Sequence, residues 1–266
     1  KSLCRWMDFN SRSLPSPWCP CYSSLDHAGG QGSSAYSQQP LWAPSRVPEV
    51  NSREVPKWME HHDIVAVIEG FGEAARLALS AGCDGVEINA GQHSLVRQFL
   101  SGLTNQRGDE YADRLLFARQ VVHAVKSAAL AVNADAIIGL RLSCDELAPW
   151  AGITPEMAPE IARELCELGI DYVVVVRGSI FSAEKTRPDF HEPTGFNIDV
   201  CRSIRSALPA HVAVFLQGSI VDAGQAEWAM NDGVCDAVEM TRAQIADPDL
   251  VQKISNDQHA QIRPCI

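Results

Sequence analysis

The run Gly82-Cys83-Asp84-Gly85-Val86-Glu87-Ile88-Asn89 decides the fold of this chain. The small-residue turn at Gly82 ends a helix, and the short apolar run after it is typical of a buried parallel strand. In α/β proteins, the carboxyl ends of such strands are where ligands bind. We therefore expect the chemistry to involve the polar residues that follow, which are Asn89, Gln92, His93 and Ser94.

Helices and strands alternate along the rest of the chain. Apolar residues recur at helical spacing from His62 to Ser80. Further helices are predicted at about 109–128, after Thr154-Pro155-Glu156, at about 197–207, at 222–231 and from Asp247. Strands are predicted at 84–89, 137–143, 172–176, 212–216 and 236–240, with a weaker one ending at Leu25. This alternation predicts an α/β fold with right-handed βαβ units and a parallel sheet of six strands.

Composition excludes several classes of protein. The 266 residues are 46% hydrophobic and 21% charged, with a formal net charge of −11. An acidic surface argues against nucleic-acid binding, and no apolar run is long enough to cross a bilayer. The nine cysteines lack the spacing of a disulfide framework, which indicates a reducing compartment. We expect a soluble cytoplasmic protein without nucleic-acid or membrane partners, and homo-oligomer formation stays open.

Two further motifs follow the central strand, Gln98-Phe99-Leu100-Ser101 and Leu103-Thr104-Asn105-Gln106-Arg107. Together the three motifs resemble the fourth βα unit of the old yellow enzyme family of FMN oxidoreductases. The variant from Asn89 to Leu95 resembles a subgroup associated with mycofactocin gene clusters. The resemblance covers residues 24–266 and implies an incomplete (β/α)8 TIM barrel, with about six of its eight βα units. Residues 1–23 are expected to form a disordered or foreign leader.

The resemblance also implies an FMN site. A strand arginine such as Arg141 is usually paired with a carboxylate, but the family places one against the flavin pyrimidine, and we prefer that role here. The loops Gly218-Ser219 and Thr241-Arg242 resemble the family's phosphate-binding loops after the last two strands. Ser24 stands where the family has a flavin-pairing Gln, and His27 matches the His of the same motif.

The catalytic candidates lie in the loop after the central strand. Asn89 and Gln92 align with the family pair that hydrogen-bonds a substrate carbonyl, and amides can donate to a developing enolate oxygen. Ser94 stands where the family often carries a proton-donating Tyr, although serine is a far poorer acid. His93 is a second candidate donor, the alternative being an ordinary solvated side chain.

Cys265 resembles the first ligand of a [4Fe–4S] cluster in the larger, dienoyl-CoA-reductase-like branch of this family. A lone thiol does not hold a cluster. We therefore expect no iron–sulfur centre and no nucleotide-binding domain in this chain.

Two functions from different classes follow. The first is an NADH:flavin oxidoreductase that takes electrons from NAD(P)H and reduces the activated C=C bond of a small enone-type molecule by hydride transfer from flavin N5. The second is a non-catalytic fragment of such an enzyme, suggested by the two missing strands and the lost Gln and Tyr. An aldolase-type barrel is a weaker alternative, because no predicted strand contains a lysine for a Schiff base.

Overall fold

The structure, a computed structural model, describes residues 20–189 and 191–265. Residues 1–19 of the expected leader lie outside this part, and its last two residues, Tyr22 and Ser23, belong to the first strand. The strands are β1 (Tyr22–Leu25), β2 (Trp42–Ala43), β3 (Lys57–Trp58), β4 (Gly85–Ala90), β5 (Ile137–Ser143), β6 (Tyr172–Val176), β7 (Ala213–Gln217) and β8 (Ala237–Glu239). The α-helices are α1 (Ser34–Ser37), α2 (His61–Ser80), α3 (Leu95–Leu100), α4 (Leu116–Val132), α5 (Ala158–Cys166), α6 (Ala183–Thr186), α7 (Ile198–Ala207), α8 (Ala223–Asn231), α9 (Thr241–Ala246) and α10 (Leu250–Ser255).

Six strands form one parallel sheet in the order β1-β4-β5-β6-β7-β8. The predicted six-stranded parallel sheet is confirmed, and its architecture is that of an incomplete (β/α)8 barrel. The pair β2 and β3 forms a separate small sheet that the sequence did not indicate. That pair contains Lys57, so a strand outside the predicted set does hold a lysine. The Lys57 ammonium is held at 2.7 Å by Asp63 in the first turn of α2.

The two faces of the main sheet differ because side chains alternate along a strand. Toward the helices the sheet is apolar, with Val86, Ile88, Ile138, Leu140, Leu142, Val173, Val175, Val214 and Leu216 in the large core. The opposite, inner face carries a small apolar cluster around Tyr172 and Val174, and polar side chains lie beside it. The inner face is therefore where polar chemistry is gathered.

Tyr172 shapes the inner face. Its ring stacks on Phe215 with centroids 4.9 Å apart. A Cβ added at Gly139 would lie 2.0 Å from Tyr172 Cζ, so the ring requires glycine at that position. The Tyr172 hydroxyl is 3.3 Å from Glu87 Oε2, and burial together with this carboxylate raises the pKa of the tyrosine.

Several elements differ from the sequence prediction. Helices α1, α3 and α6 were not predicted, and the helix predicted after Thr154-Pro155-Glu156 begins at Ala158. The helix predicted from about 109 begins at Leu116, because Asp109 instead caps a short 3₁₀ turn by accepting from the Tyr111 N–H. Helix α9, directly after β8, was not predicted. Among the described residues, no helix has both the length and the apolar character that a bilayer crossing requires.

Candidate active site

A cleft of about 330 Å³ lies at the carboxyl ends of β4, β5, β7 and β8. Strand ends of a parallel sheet meet at one edge, which brings together residues that are far apart in the chain. The cleft is lined by Asn89, Gln92, Arg141, Thr186, Arg187, Pro188, Gln217, Gly218, Ser219, Ile220, Val221, Glu239, Met240, Thr241 and Arg242. Seven of the predicted site residues are thus brought together, namely Asn89, Gln92, Arg141, Gly218, Ser219, Thr241 and Arg242.

The loop after β7 places its backbone against the cleft. Gly218 has φ +125°, which glycine adopts readily, and Ser219 has φ +57°, which is backbone strain of the kind found at ligand sites. A Cβ added at Gly218 would lie 2.5 Å from Asn197 Nδ2, which donates to Gln217 O at 2.6 Å. The N–H groups of Ser219 and Ile220 donate to no described residue. The loop therefore offers donors to a ligand at a position that only glycine fits.

The end of β8 supplies the second group of donors. Helix α9 begins at Thr241 without a side-chain cap, so its first N–H groups are open. Arg242 is exposed beside them and donates through Nη2 to Pro188 O at 2.5 Å. Together with the β7 loop, this donor set fits a phosphate group, so the residues present are compatible with the phosphate end of FMN.

Arg141 lies between two carboxylates on the inner face. Its Nε is 2.8 Å from Glu87 Oε1 and its Nη2 is 2.8 Å from Glu239 Oε2. Burial disfavours charge on Arg141, but Glu87 and Glu239 outweigh that effect and raise the pKa of the guanidinium. The structure therefore contains the arginine–carboxylate ion pair that the sequence analysis gave as the alternative role of Arg141. The guanidinium also forms part of the cleft wall, and its contact with a flavin stays a prediction.

Asn89 and Gln92 form the opposite wall. Asn89 Oδ1 accepts from the Gly91 N–H at 2.9 Å, which leaves its Nδ2 without a partner among the described residues. Gln92 donates through Nε2 to Thr186 O at 3.0 Å and has φ +29°, another strained position. Both amides can therefore still offer an N–H to a carbonyl oxygen, in keeping with the predicted role.

Ser94 and His93 are not brought to the cleft. Ser94 is fully buried and caps α3: its hydroxyl donates to Asn89 O and accepts from the Val96 N–H. A hydroxyl engaged in this way has no proton to offer a substrate, which argues against Ser94 as proton donor. His93 is half-buried beside Ser94, outside the cleft lining.

The two cofactor candidates near the first strand, Ser24 on β1 and His27 just after it, lie on opposite sides of the sheet. Ser24 lies on the inner face, in the part of the sheet surface that also holds Glu87 and Arg141. His27 lies on the helix side, beside Leu25 and Trp42, away from the cleft. Its Nδ1 accepts from the Gly29 N–H at 3.0 Å, and burial lowers its pKa. The structure therefore gives His27 a turn-stabilising contact away from the cleft, and its contact with a cofactor stays a prediction.

Among the cleft residues that sequence reasoning missed are Thr186, Arg187 and Glu239. Counting alternate positions back from the end of β8 would have placed Glu239 on the inner face. The loop after β6 has no periodic pattern. Its position after a strand end was the one signal that could have indicated Arg187.

Cys265, half-buried, is a free thiol. Among residues 20–189 and 191–265, metal-ligating groups come together only at Glu60, His62 and Asp63. Asp63 there already pairs with Lys57 and caps α2, so the cluster is explained by local structure.

Comparison with known proteins gives a family match over most of the chain. The sequence signature of the NADH:flavin oxidoreductase / NADH oxidase family matches residues 22–261. A probable N-methylproline demethylase of Rhizobium meliloti (strain 1021) is 34% identical over 236 residues, which are 85% of this chain and 34% of that protein. A multifunctional alkene reductase/demethylase of Caballeronia cordobensis is 31% identical over 253 residues, 91% of this chain and 36% of that protein. The chain thus spans about a third of the length of these relatives.

Solved structures agree on the fold. A 2-naphthoyl-CoA reductase in complex with 2-naphthoyl-CoA superposes with a TM-score of 0.91 at 21% identity, covering 100% of this chain and 42% of that one. Histamine dehydrogenase from Rhizobium sp. 4-9 gives a TM-score of 0.86 at 25% identity, covering 98% and 38%. The six-stranded sheet therefore corresponds to part of a larger barrel protein in both cases.

Proposed function

The chain belongs to the NADH:flavin oxidoreductase / NADH oxidase family, whose cofactors are FMN and NAD(P)H, and from that membership we propose that the cleft binds FMN and reduces an activated C=C bond. The observation that carries the proposal is the convergence of two donor sets on one cleft. The phosphate donors come from the β7 and β8 ends, and the carbonyl donors Asn89 and Gln92 come from the β4 end.

The phosphate of FMN would be held by Gly218, Ser219 and Arg242. FMN, when bound, supplies the hydride that it has received from NAD(P)H. Arg242 contributes a charged donor. Because Gly218 has no side chain, the backbone of the loop can approach the phosphate closely.

Asn89 and Gln92 would hold the carbonyl oxygen of the substrate. The free Nδ2 group of Asn89 donates to this oxygen and favours the negative charge that develops on it. The second N–H of Gln92 is left for the same oxygen, since the first is committed to Thr186 O. No Tyr or His is among the described lining residues, and water that enters the cleft would supply the proton to the α-carbon.

A titration with FMN tests the first half of the proposal. We expect the visible spectrum to shift and flavin fluorescence to be quenched, with FMN affinity reduced about 10-fold or more in Arg242→Gln. The control Arg163→Gln removes the same charge from an exposed site on α5 and leaves affinity unchanged. A wild-type chain that leaves FMN fluorescence unquenched contradicts the proposal.

Anaerobic assays with NADH or NADPH and a cyclic enone test the second half. Consumption of the enone together with the nicotinamide supports C=C reduction.

The alternative, a chain that binds FMN without turnover, is favoured by one observation. Ser94 is buried as a helix cap where a proton donor was expected. Quenching of FMN without enone consumption would support this alternative.

A further inference from the structure

The segment Thr186–Pro188 crosses the cleft as a strap that is fixed at both ends. At one end, Thr186 O accepts from Gln92 Nε2 in the loop after β4. At the other end, Pro188 O accepts from Arg242 Nη2 in α9, after β8. Since β4 and β8 are separated by three strands in the sheet, the two bonds hold the strap across the width of the site.

Arg187 is the central residue of this strap, and its charge is uncompensated. It lies in the cleft lining and is exposed. Within the described part of the chain it makes no hydrogen bond and no ion pair. Arg141, in contrast, has two carboxylate partners in the same cleft. Arg187 therefore presents an exposed guanidinium, on a backbone anchored at both neighbouring residues, that is available to a ligand.

Because the whole chain is acidic, an unpaired cation in the cleft indicates which kind of ligand the cleft can bind. The formal net charge of −11 disfavours the approach of anions, so an anionic ligand depends on nearby positive groups. Arg242 stands beside the β7 and β8 donors that fit the cofactor phosphate. Arg187 lies between these two sides, since Thr186 joins it to Gln92 on the side assigned to the substrate carbonyl and Pro188 joins it to Arg242. Arg242 is already assigned to the cofactor phosphate, which leaves the Arg187 guanidinium for a second anionic group.

We propose that Arg187 binds the anionic group of the substrate, so that the cleft selects small molecules carrying a carboxylate or phosphate near the reducible bond. The inference rests on the proposed function, since it names the substrate class of the same cleft. A guanidinium suits this task because its planar fork donates two parallel bonds to an oxyanion. Asn89 and Gln92 would hold the carbonyl end of the same molecule.

Binding of unreactive probes to the FMN-loaded chain tests the proposal. Benzoate, phenyl phosphate and neutral benzamide are titrated while the flavin spectrum is followed. The variants are Arg187→Met, which removes the charge, and Arg187→Lys, which keeps it. The control Arg163→Met makes the same charge change on the exposed face of α5, where Arg163 faces Glu160 at 3.6 Å.

We expect Arg187→Met to weaken one or both anionic probes about 10-fold or more, with benzamide and FMN affinities unchanged. Arg187→Lys should retain part of the anion affinity, and Arg163→Met all of it. Loss for benzoate alone identifies carboxylate substrates, and loss for phenyl phosphate alone identifies phosphate-bearing ones.

Three results would overturn the proposal. One is a wild-type chain that binds the anions no better than benzamide. Another is an equal loss of affinity for all three probes in Arg187→Met. The third is a loss of FMN affinity in that variant, which would assign the Arg187 guanidinium to the cofactor phosphate. If the wild-type chain does not bind FMN, the proposed function fails by itself. Calorimetry of the same probes with the flavin-free chain then decides the role of Arg187.

Discussion

Asn89 is the residue whose chemistry can be separated most cleanly from its structural role. Its Oδ1 accepts from the Gly91 N–H, while its Nδ2 is free for a ligand. Asn89→Asp keeps the acceptor, removes the donor and places a negative charge where the oxyanion develops. Because loss of one donor to a developing oxyanion costs about 100-fold or more in turnover, we expect a fall in kcat of that order. Steady-state assays with an enone measure it, and FMN affinity serves as the control. Unchanged kcat would remove Asn89 from the proposed mechanism.

A substitution at Gly218 tests whether the loop after β7 requires a residue without a side chain. An alanine there meets Asn197 Nδ2 at 2.5 Å and must adopt φ +125°. We expect Gly218→Ala to lower the free energy of unfolding by about 1–3 kcal/mol and to weaken FMN binding.

The matched control is Gly70→Ala in the exposed middle of α2, where a Cβ has no neighbour within 4 Å. Its effect should be stabilising by about 0.5–1 kcal/mol, because alanine is the better helix former. Urea unfolding measures both variants. Equal midpoints for them would mean that the β7 loop tolerates a side chain.

At the scale of elements, helix α3 is joined to the loop after β5 by a buried ion pair. Arg97 and Glu146 are both fully buried, with Arg97 Nη1 bonded to Glu146 Oε1. Glu146 Oε2 also accepts from the Ile153 N–H, which closes the loop 146–153 on itself. The pair therefore fixes the shape of a loop at the carboxyl end of β5.

Removing one partner of this pair leaves a buried charge without compensation. We expect Glu146→Gln and Arg97→Met each to lower the free energy of unfolding by about 3–5 kcal/mol. The double variant Arg97→Met/Glu146→Leu should lose less than the sum of the single losses, since it buries no charge. Additive losses in urea unfolding would show that the two side chains act independently.

Asp247 ties the segment after α10 back to the fold. It is fully buried, accepts from Lys253 Nζ at 2.7 Å and from the Arg263 N–H at 2.8 Å, and has its pKa lowered to about 2 by these bonds. The folded pKa lies below the ordinary value of 3.8, so the stabilisation is complete above about pH 4 and is lost as the pH falls toward 2.

We expect Asp247→Asn to be less stable than the wild-type chain at pH 5–8 by a constant amount. Below pH 4 the difference should shrink. Thermal unfolding across this pH range measures it, with the exposed Asp249→Asn as control. A difference that stays constant down to pH 3 would contradict the assigned pKa.

At the scale of the whole molecule, stability should fall from the middle of the sheet to its edges. Strands β5 and β6 are paired on both sides, and every residue of β6 is buried. Strand β8, at one edge, has only half-buried residues. We expect native-state hydrogen exchange to be slowest in β5 and β6 and fastest in β1 and β8. Uniform protection would indicate that the edges are covered in solution.

The fold followed from sequence because its signals are local. The apolar run Ile137–Ser143 and the helical spacing before Gly82 each reveal an element without knowledge of its neighbours. The small sheet of β2 and β3 escaped notice, since a strand of two residues has no period to detect.

The site was predictable only in part, for a related reason. Gly218 and Asn89 were found because their positions after strand ends carry meaning by themselves. The capping role of Ser94 was not predictable, because it depends on a backbone turn that brings Asn89 O to its hydroxyl. Arg187 was missed because its importance comes from bonds made by its neighbours, Thr186 and Pro188, to distant parts of the chain.

The order of strands in the sheet has a consequence for synthesis on the ribosome. From β4 onward, each strand pairs with the next one in sequence, so the sheet can grow as the chain emerges. The cleft needs walls from Asn89 through Arg242, and so it is completed only when α9 has been made. A ligand that binds there stabilises only chains that extend through α9, by an amount that grows with the logarithm of its concentration over its Kd. Cofactor supply would then protect chains that reach α9 from proteolysis, while shorter chains would stay exposed to it.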